Sequence, residues 1–247
     1  MLLPSLCRCC EQPLEALESV PICEACWGRV SPYEGLECAQ CGLFLGSPLN
    51  LHGTALCGFC RRESFEFDQA RTFGWYDGVL GDLVRRFKYD GWFPLAQPLA
   101  RCLHEAAGRF AVGGAERGAS APKFDLILPV PLHRNRQRQR GYNQSQLLAE
   151  DLAKLMRVPL GGKNCVRVRD TQPQTGLRGS ARRKNVRGAF AVPRPERVKG
   201  ASILLIDDVL TTGATLDACA KALRQAGAEQ VRALTLARAR PGARDML

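Results

Sequence analysis

The 247-residue chain is long enough for one sizeable hydrophobic core plus a small appended module, and its 45% hydrophobic and 24% charged residues suit an ordinary globular protein rather than a disordered or fibrous one. The formal net charge of +11 is unevenly spread: residues 131–199 hold 17 Lys and Arg against 4 Asp and Glu, an excess of 13, which leaves the remainder at about −2. A basic half suits a phosphate-rich partner, either a nucleic acid or a polyphosphate substrate, but a solvated positive face that aids solubility has the same composition. No apolar run approaches the roughly 20 residues needed to span a bilayer. Met1 to Cys7 carries neither a basic start nor a long apolar stretch, so no signal peptide and no membrane insertion are expected, and the expected compartment is the cytoplasm.

Nine of the 12 cysteines fall in the first 60 residues, and eight of these form C-x₂-C pairs: Cys7/Cys10, Cys23/Cys26, Cys38/Cys41 and Cys57/Cys60. Cytoplasmic thiols stay reduced, so the pattern is read for metal before disulfides. Two thiolates on a tight knuckle reach one tetrahedral Zn²⁺, and two knuckles close a structural site. Gaps of 12 residues between the first two pairs and 15 between the last two fit zinc ribbons. Two Cys₄ sites are expected, first pair with second and third with fourth; cross-bracing of first with third is the alternative. Residues 1–64 therefore read as a double zinc ribbon whose folding depends on metal. Cys9, Cys102, Cys165 and Cys219 read as incidental or small buried residues, and His52 as a substitute ligand of low rank.

Residues 65–122 form a segment expected to pack on the core. Ala70–Tyr76 reads as a strand, Val79–Lys88 as an amphipathic helix (Val79, Leu80, Leu83, Val84, Phe87), and Leu95–Phe110 as a second helix after Pro94. Lys88, Tyr89 and Trp92 read either as a hood over a ligand or, with Phe87 and Phe93, as a seal onto the core. Ala111–Pro122 is Gly- and Ala-rich and reads as a linker.

An α/β core is expected over residues 123–247. Phe124–Pro131 is a short apolar strand closed by prolines, followed by a basic loop, Leu132–Gln144, and an amphipathic helix from about Ser145 to Met156. Arg138 and Arg140 in this loop are candidates for bidentate contacts to a diphosphate or to DNA phosphates. A short strand at Asn164–Val168 leads into Arg169–Asn185, which reads as a basic lid loop containing Arg182 and Arg183. Strands at Val186–Val192 and Val231–Ala237 flank the most informative stretch, Ile203 to Thr215.

That stretch begins with four branched apolar residues, Ile203–Ile206, as in a strand buried on both faces. Asp207 and Asp208 follow where α/β sheets bind ligands. Thr211, Thr212, Gly213, Ala214 and Thr215 then open a helix, offering hydroxyls and approachable N–H groups that favour a phosphate. Acids beside a phosphate cradle suit a sugar phosphate. The element resembles the phosphoribosyl-diphosphate signature of type I phosphoribosyltransferases, which implies a parallel sheet with flanking helices.

With the four C-x₂-C pairs, Pro129-Val130-Pro131-Leu132, Arg140-Gly141-Tyr142-Asn143-Gln144, Gln174 with Leu177, Arg182, Asn185-Val186 and the Asp207–Thr215 element, nearly the whole chain resembles the ComF (ComFC/GntX) family. The resemblance implies that Asp207 and Asp208 bind the ribose hydroxyls of phosphoribosyl diphosphate, or a Mg²⁺ beside them, and act as the catalytic pair. It gives the 5′-phosphate to Thr211–Thr215 and brings Leu132, His133 and Arg140 towards the diphosphate. It implies single-stranded DNA as a partner during natural transformation or DNA utilisation, together with competence-machinery proteins. Three functions follow: DNA handling with phosphoribosyl diphosphate as ligand; an active phosphoribosyltransferase on a base or nucleotide with no direct DNA role; and a metal-folded adaptor. His133 and Lys184 are candidate bases by type alone.

Overall fold

The structure, a computed structural model, describes residues 6–14, 20–46, 55–110, 122–172 and 179–240. His52, the linker residues 111–121, and Gln174 and Leu177 lie outside the described residues. In chain order the elements are α1 (Glu24–Trp27), β1 (Leu36–Glu37), β2 (Phe44–Gly46), β3 (Gln69–Trp75), α2 (Gly78–Tyr89), α3 (Ala96–Ala107), β4 (Leu126–Pro129), α4 (Arg134–Arg140), α5 (Gln144–Met156), β5 (Val166–Arg167), α6 (Gly179–Val186), β6 (Phe190–Ala191), β7 (Ser202–Leu210), α7 (Ala214–Gln225) and β8 (Gln230–Arg238).

Ile203 to Ile206 are fully buried because β7 lies inside a four-stranded sheet of order β3-β8-β7-β4 with every pairing parallel. Alternation along the strand divides the core in two. Leu204 and Ile206 pack with Leu83 and Phe87 of α2, Leu99 of α3 and Leu148 of α5. Ile203 and Leu205 pack with Leu216, Ala220 and Leu223 of α7. The result is the expected parallel α/β layer structure. β3, from the stretch read as a hood, is an edge strand of this sheet, pairing with β8 from Gln69↔Arg232 to Trp75↔Arg238.

Three elements differ from the sequence reading. β7 does not end at the acids but runs two positions further on the ladder with β8, through Leu210↔Arg238. On its other side it loses β4 after Pro129↔Ile206, and the gap beside Asp207 and Asp208 is closed by the start of α5. The basic loop after β4 contains a short helix, α4, which has no apolar periodicity to announce it. His133 caps it and Gly141, at φ +83°, ends it. Residues 179–186, read as lid and strand, form α6.

The Cys-rich segment covers the outer edge of β3. Ala70 N–H donates to Gln40 O at 2.7 Å and Tyr33 N–H to Phe73 O at 2.7 Å, so edge groups that would template aggregation are engaged. Gly42, at φ +62°, approaches so closely that a Cβ would sit 2.5 Å from Ala70 O. Buried charges fasten the contact: Glu37 lies 3.4 Å from Arg71 Nε and 3.0 Å from Arg109 Nε, and Arg238 Nη1 donates to Cys41 O at 2.6 Å. Burial raises the Glu37 carboxyl above its usual range, against the pull of Arg109, Arg71 and Arg238. Glu37→Ala strands Arg71 and is expected to remove about 3–5 kcal/mol of stability, read as a lower urea midpoint; an unchanged midpoint would remove the network from any role in docking.

Candidate functional site

Because side chains alternate along β7, Asp207 and Asp208 leave it on opposite faces. Asp208, buried at 3% side-chain exposure, meets Lys88 from the last turn of α2: the ammonium lies 2.9 Å from Oδ2 and 3.1 Å from Oδ1. Desolvation alone would lower the Lys88 pKa, but Asp208 and Asp207 outweigh it and hold the ammonium above its ordinary range. Asp207 turns the other way and is partly buried. Its Oδ1 accepts from Ser145 Oγ at 2.8 Å and from the Asp208 N–H at 3.0 Å. Burial and then the neighbouring Asp208 push its pKa up to about 6, against Lys88, Ser145 and the backbone donor. One acid is therefore neutralised inside the protein, and the other is poised between charged and protonated forms near neutrality.

The Arg140–Gln144 motif builds this network. Asn143 caps α5 by accepting from Ser145 N–H at 3.1 Å and donates to Val130 O at 3.1 Å, tying the helix start to the end of β4. Tyr142 donates to Phe87 O at 2.6 Å, which locks the end of α2 and so Lys88. Arg140 donates to Gln144 Oε1 at 2.6 Å and stands over the Tyr89 ring at 5.4 Å. Leu132 is partly buried, and His133 faces Asp170, with Nδ1 3.3 Å from Oδ2.

After β7, Thr211 and Thr212 are partly exposed and Gly213 takes φ +80° to start α7 at Ala214. Thr215 lies in the first turn of that helix. The turn is covered by Phe65, whose ring would stand 2.9 Å from a Cβ on Gly213. The adjacent Glu66 N–H donates to Asp217 Oδ1 at 2.7 Å. The tail of the Cys-rich segment thus rests on the phosphate-cradle candidate.

Basic residues gather at the same sheet end, because β4 and β7 are parallel. Arg138 is exposed on α4; Arg182 and Arg183 are partly exposed on α6, with Arg183 3.9 Å from Glu63 and over the Phe59 ring at 5.4 Å. Residues 170–172 join the two helices: Asn135 donates to Asp170 at 2.8 Å, Arg136 to Thr171 O at 2.8 Å and Asn185 to Gln172 O at 2.9 Å. Lys184 is exposed and lines a groove of about 540 Å³ between α6 and α7, away from the acid pair.

The eight paired cysteines form two tetrads, Cys7/Cys10/Cys23/Cys26 and Cys38/Cys41/Cys57/Cys60, with sulfurs all within 4.8 Å of one another in each. The pairing is first with second and third with fourth, not cross-braced. Separations of 3.6 Å for Cys10–Cys23 and 3.7 Å for Cys41–Cys57 match the edge of a ZnS₄ tetrahedron, about 3.8 Å for Zn–S bonds of about 2.3 Å. N–H groups of Cys23 and Cys57 donate to Cys7 and Cys38 sulfurs at 3.3 Å, as expected around thiolates. Both tetrads could hold zinc.

Sequence reading missed Ser145 as a partner of Asp207 and left Lys88 between two roles. A signal for Lys88 exists: it stands four residues after Val84, on the buried face of α2.

A parallel α/β sheet with an acid pair and a left-handed glycine turn at the start of the next helix defines a phosphoribosyltransferase-type domain, and the phosphoribosyl transferase domain model matches residues 143–246. The chain is 35% identical to Competence protein F of Haemophilus influenzae, covering 88% of this chain and 90% of that protein. It is 34% identical to DNA utilization protein YhgH of Salmonella typhi (95% and 97% covered) and 27% identical to Competence protein ComFC of Bacillus subtilis (88% and 84%). The chain belongs to the ComF family. Among the described residues no helix is long and apolar enough to cross a membrane.

The raised pKa of Asp207 gives a signed expectation. Its folded value of about 6 exceeds the ordinary 3.8, so the fold favours the protonated form and loses stability as pH rises from about 4 to 6. Asp207→Asn should flatten that slope and raise the thermal midpoint at pH 7 without ligand; an unaltered pH profile would show that the carboxylate carries no such burden.

Proposed function

We propose that this chain binds phosphoribosyl diphosphate with Mg²⁺ at the β7–α7 junction and handles single-stranded DNA in the cytoplasm during natural transformation or DNA utilisation, on a scaffold folded by two zinc ions. The observation that carries the ligand reading is the left-handed Gly213 turn, three residues beyond β7, which opens the 12-residue helix α7. Backbone N–H groups at such a start, with the helix dipole, favour a phosphate, and the side chains of Thr211, Thr212 and Thr215 would add donors. Asp207, with one oxygen on Ser145, would take the ribose hydroxyls or a Mg²⁺ shared with the diphosphate. Mg²⁺ would supply charge neutralisation for the diphosphate. Asp208 would serve by fixing Lys88, whose ammonium adds positive charge beside the anion.

The DNA reading draws on the names borne by the relatives, Competence protein F and DNA utilization protein YhgH, and on the basic strip along α4 and α6. Calorimetric titration with phosphoribosyl diphosphate and Mg²⁺ tests the ligand. Asp207→Ala should weaken binding by roughly 10- to 100-fold, the worth of a charge-assisted hydrogen bond, and wild-type affinity should fall as pH drops through about 6. Equal affinity in the variant would sink the assignment.

For zinc, the purified chain should contain two ions, and Cys38→Ser with Cys57→Ser should leave one. Metal-free protein with an unchanged unfolding transition would refute a structural role for the metal.

A further inference from the structure

The sequence places few aromatic residues among the arginines, yet the fold assembles them. Among the described residues Tyr89 and Phe93 are the exposed aromatics, at 64% and 51% exposure. Tyr89 ends α2 and Phe93 stands four residues further on, and α4, with four arginines and no acid, reaches the Tyr89 ring through its last residue, Arg140. Each ring is braced from behind. Arg140 stands 5.4 Å from the centre of Tyr89 and is itself held by Gln144. Phe93 meets the Tyr142 ring edge-on at 4.7 Å and 86°, and Tyr142 is anchored on Phe87 O. Isolated exposed apolar side chains need no explanation. Two exposed rings held rigid by hydrogen-bonded neighbours have their ordering entropy already spent in the free protein, as a stacking surface requires.

The same short helix carries two further exposed arginines. Arg134 and Arg138, one helical turn apart and both exposed, form no ion pair among the described residues. By contrast the neighbouring Trp92, between Arg8 at 5.9 Å and Arg86 at 5.3 Å, is partly buried and seals the core. The hood segment is thus split: Phe87 and Trp92 face inward, Lys88 faces the acid, and Tyr89 and Phe93 face solvent.

We propose that Tyr89 and Phe93 form a base-stacking platform for single-stranded DNA, with Arg134 and Arg138 holding its phosphates, so that the strand passes the rim of the acid-pair site. Flat aromatic faces beside a cationic track fit unpaired bases on a sugar-phosphate backbone; a duplex hides its base faces and gains nothing from the rings. This rests on the DNA reading above and assigns it a place.

The test is fluorescence anisotropy with labelled oligothymidylate and with a duplex of equal length, across a salt series. Tyr89→Ala and Phe93→Ala should each weaken single-strand binding by roughly 5- to 100-fold, the effect of losing one stacked base, and leave duplex binding and the salt slope unchanged. Tyr89→Trp should restore affinity. Arg134→Ala with Arg138→Ala should instead lower the salt slope by about 1.4, for two single-strand phosphate contacts. Wild-type single-strand affinity that is unchanged in both aromatic variants overturns the platform alone. No binding by the wild type overturns the DNA reading and the platform together.

Discussion

The ion pair between Lys88 and Asp208 is the constraint on which the site depends. A carboxylate at 3% exposure in the interior of a sheet is not tolerable without a partner, and the partner comes from a helix 120 residues earlier in the chain. To deliver that ammonium, α2 must end where it does, and Tyr142 holds it there through Phe87 O. Tyr142 belongs to the turn that caps α5, whose Ser145 steadies the other acid. Two carboxylates, one lysine and one serine from three segments therefore form a single unit. Its electrostatic outcome is unequal: Asp208 is paired with the ammonium, while Asp207 is held on one oxygen by a hydroxyl and a backbone N–H.

The Cys-rich module is fastened by the same kind of chemistry at the opposite edge of the sheet. Glu37 between Arg71 and Arg109 joins strand, helix end and knuckle, and Gly42 removes the side chain that would keep them apart. Such a junction is costly to desolvate, and a hydrophobic seam of the same area would bind as well or better. What buried charges add is a unique docking position, since a shifted register would leave three guanidiniums without acceptors.

Much of this was legible in the chain. The run Ile203–Ile206 fits a two-sided strand, short and wholly apolar, leading straight into two acids and a small-residue turn. Cysteine spacing encodes the four knuckles directly, since a knuckle is a local structure, while which knuckles share a tetrad is settled by the fold. What stayed hidden was non-local or lacked periodicity. β3 joins β8 at a separation of 163 residues, through Thr72 and Thr235, whose hydroxyls meet at 2.8 Å inside the sheet. The helix α4 consists of Arg, Asn and Gln, so no apolar stripe marks it, and its caps and its polar bonds to Asp170 and Thr171 hold it. The continuation of β7 past its acids depends on β8 being longer than β4, which no reading of β7 alone can supply. Similarly, the arginine-rich segment looked poor in aromatics because its rings come from residues 89 and 93.

Phe65 lying on Gly213 joins two regions that the sequence keeps 148 positions apart. The ring belongs to the tail that leaves the last cysteine knuckle, and the glycine belongs to the turn that opens α7. Ring and turn share one contact, so a displacement of either bears on the other. Thermodynamic linkage would make any coupling across such a contact symmetric, each end returning the free energy it receives. The Cys-rich module thereby does more than cover a sheet edge: its tail packs on the turn that opens α7.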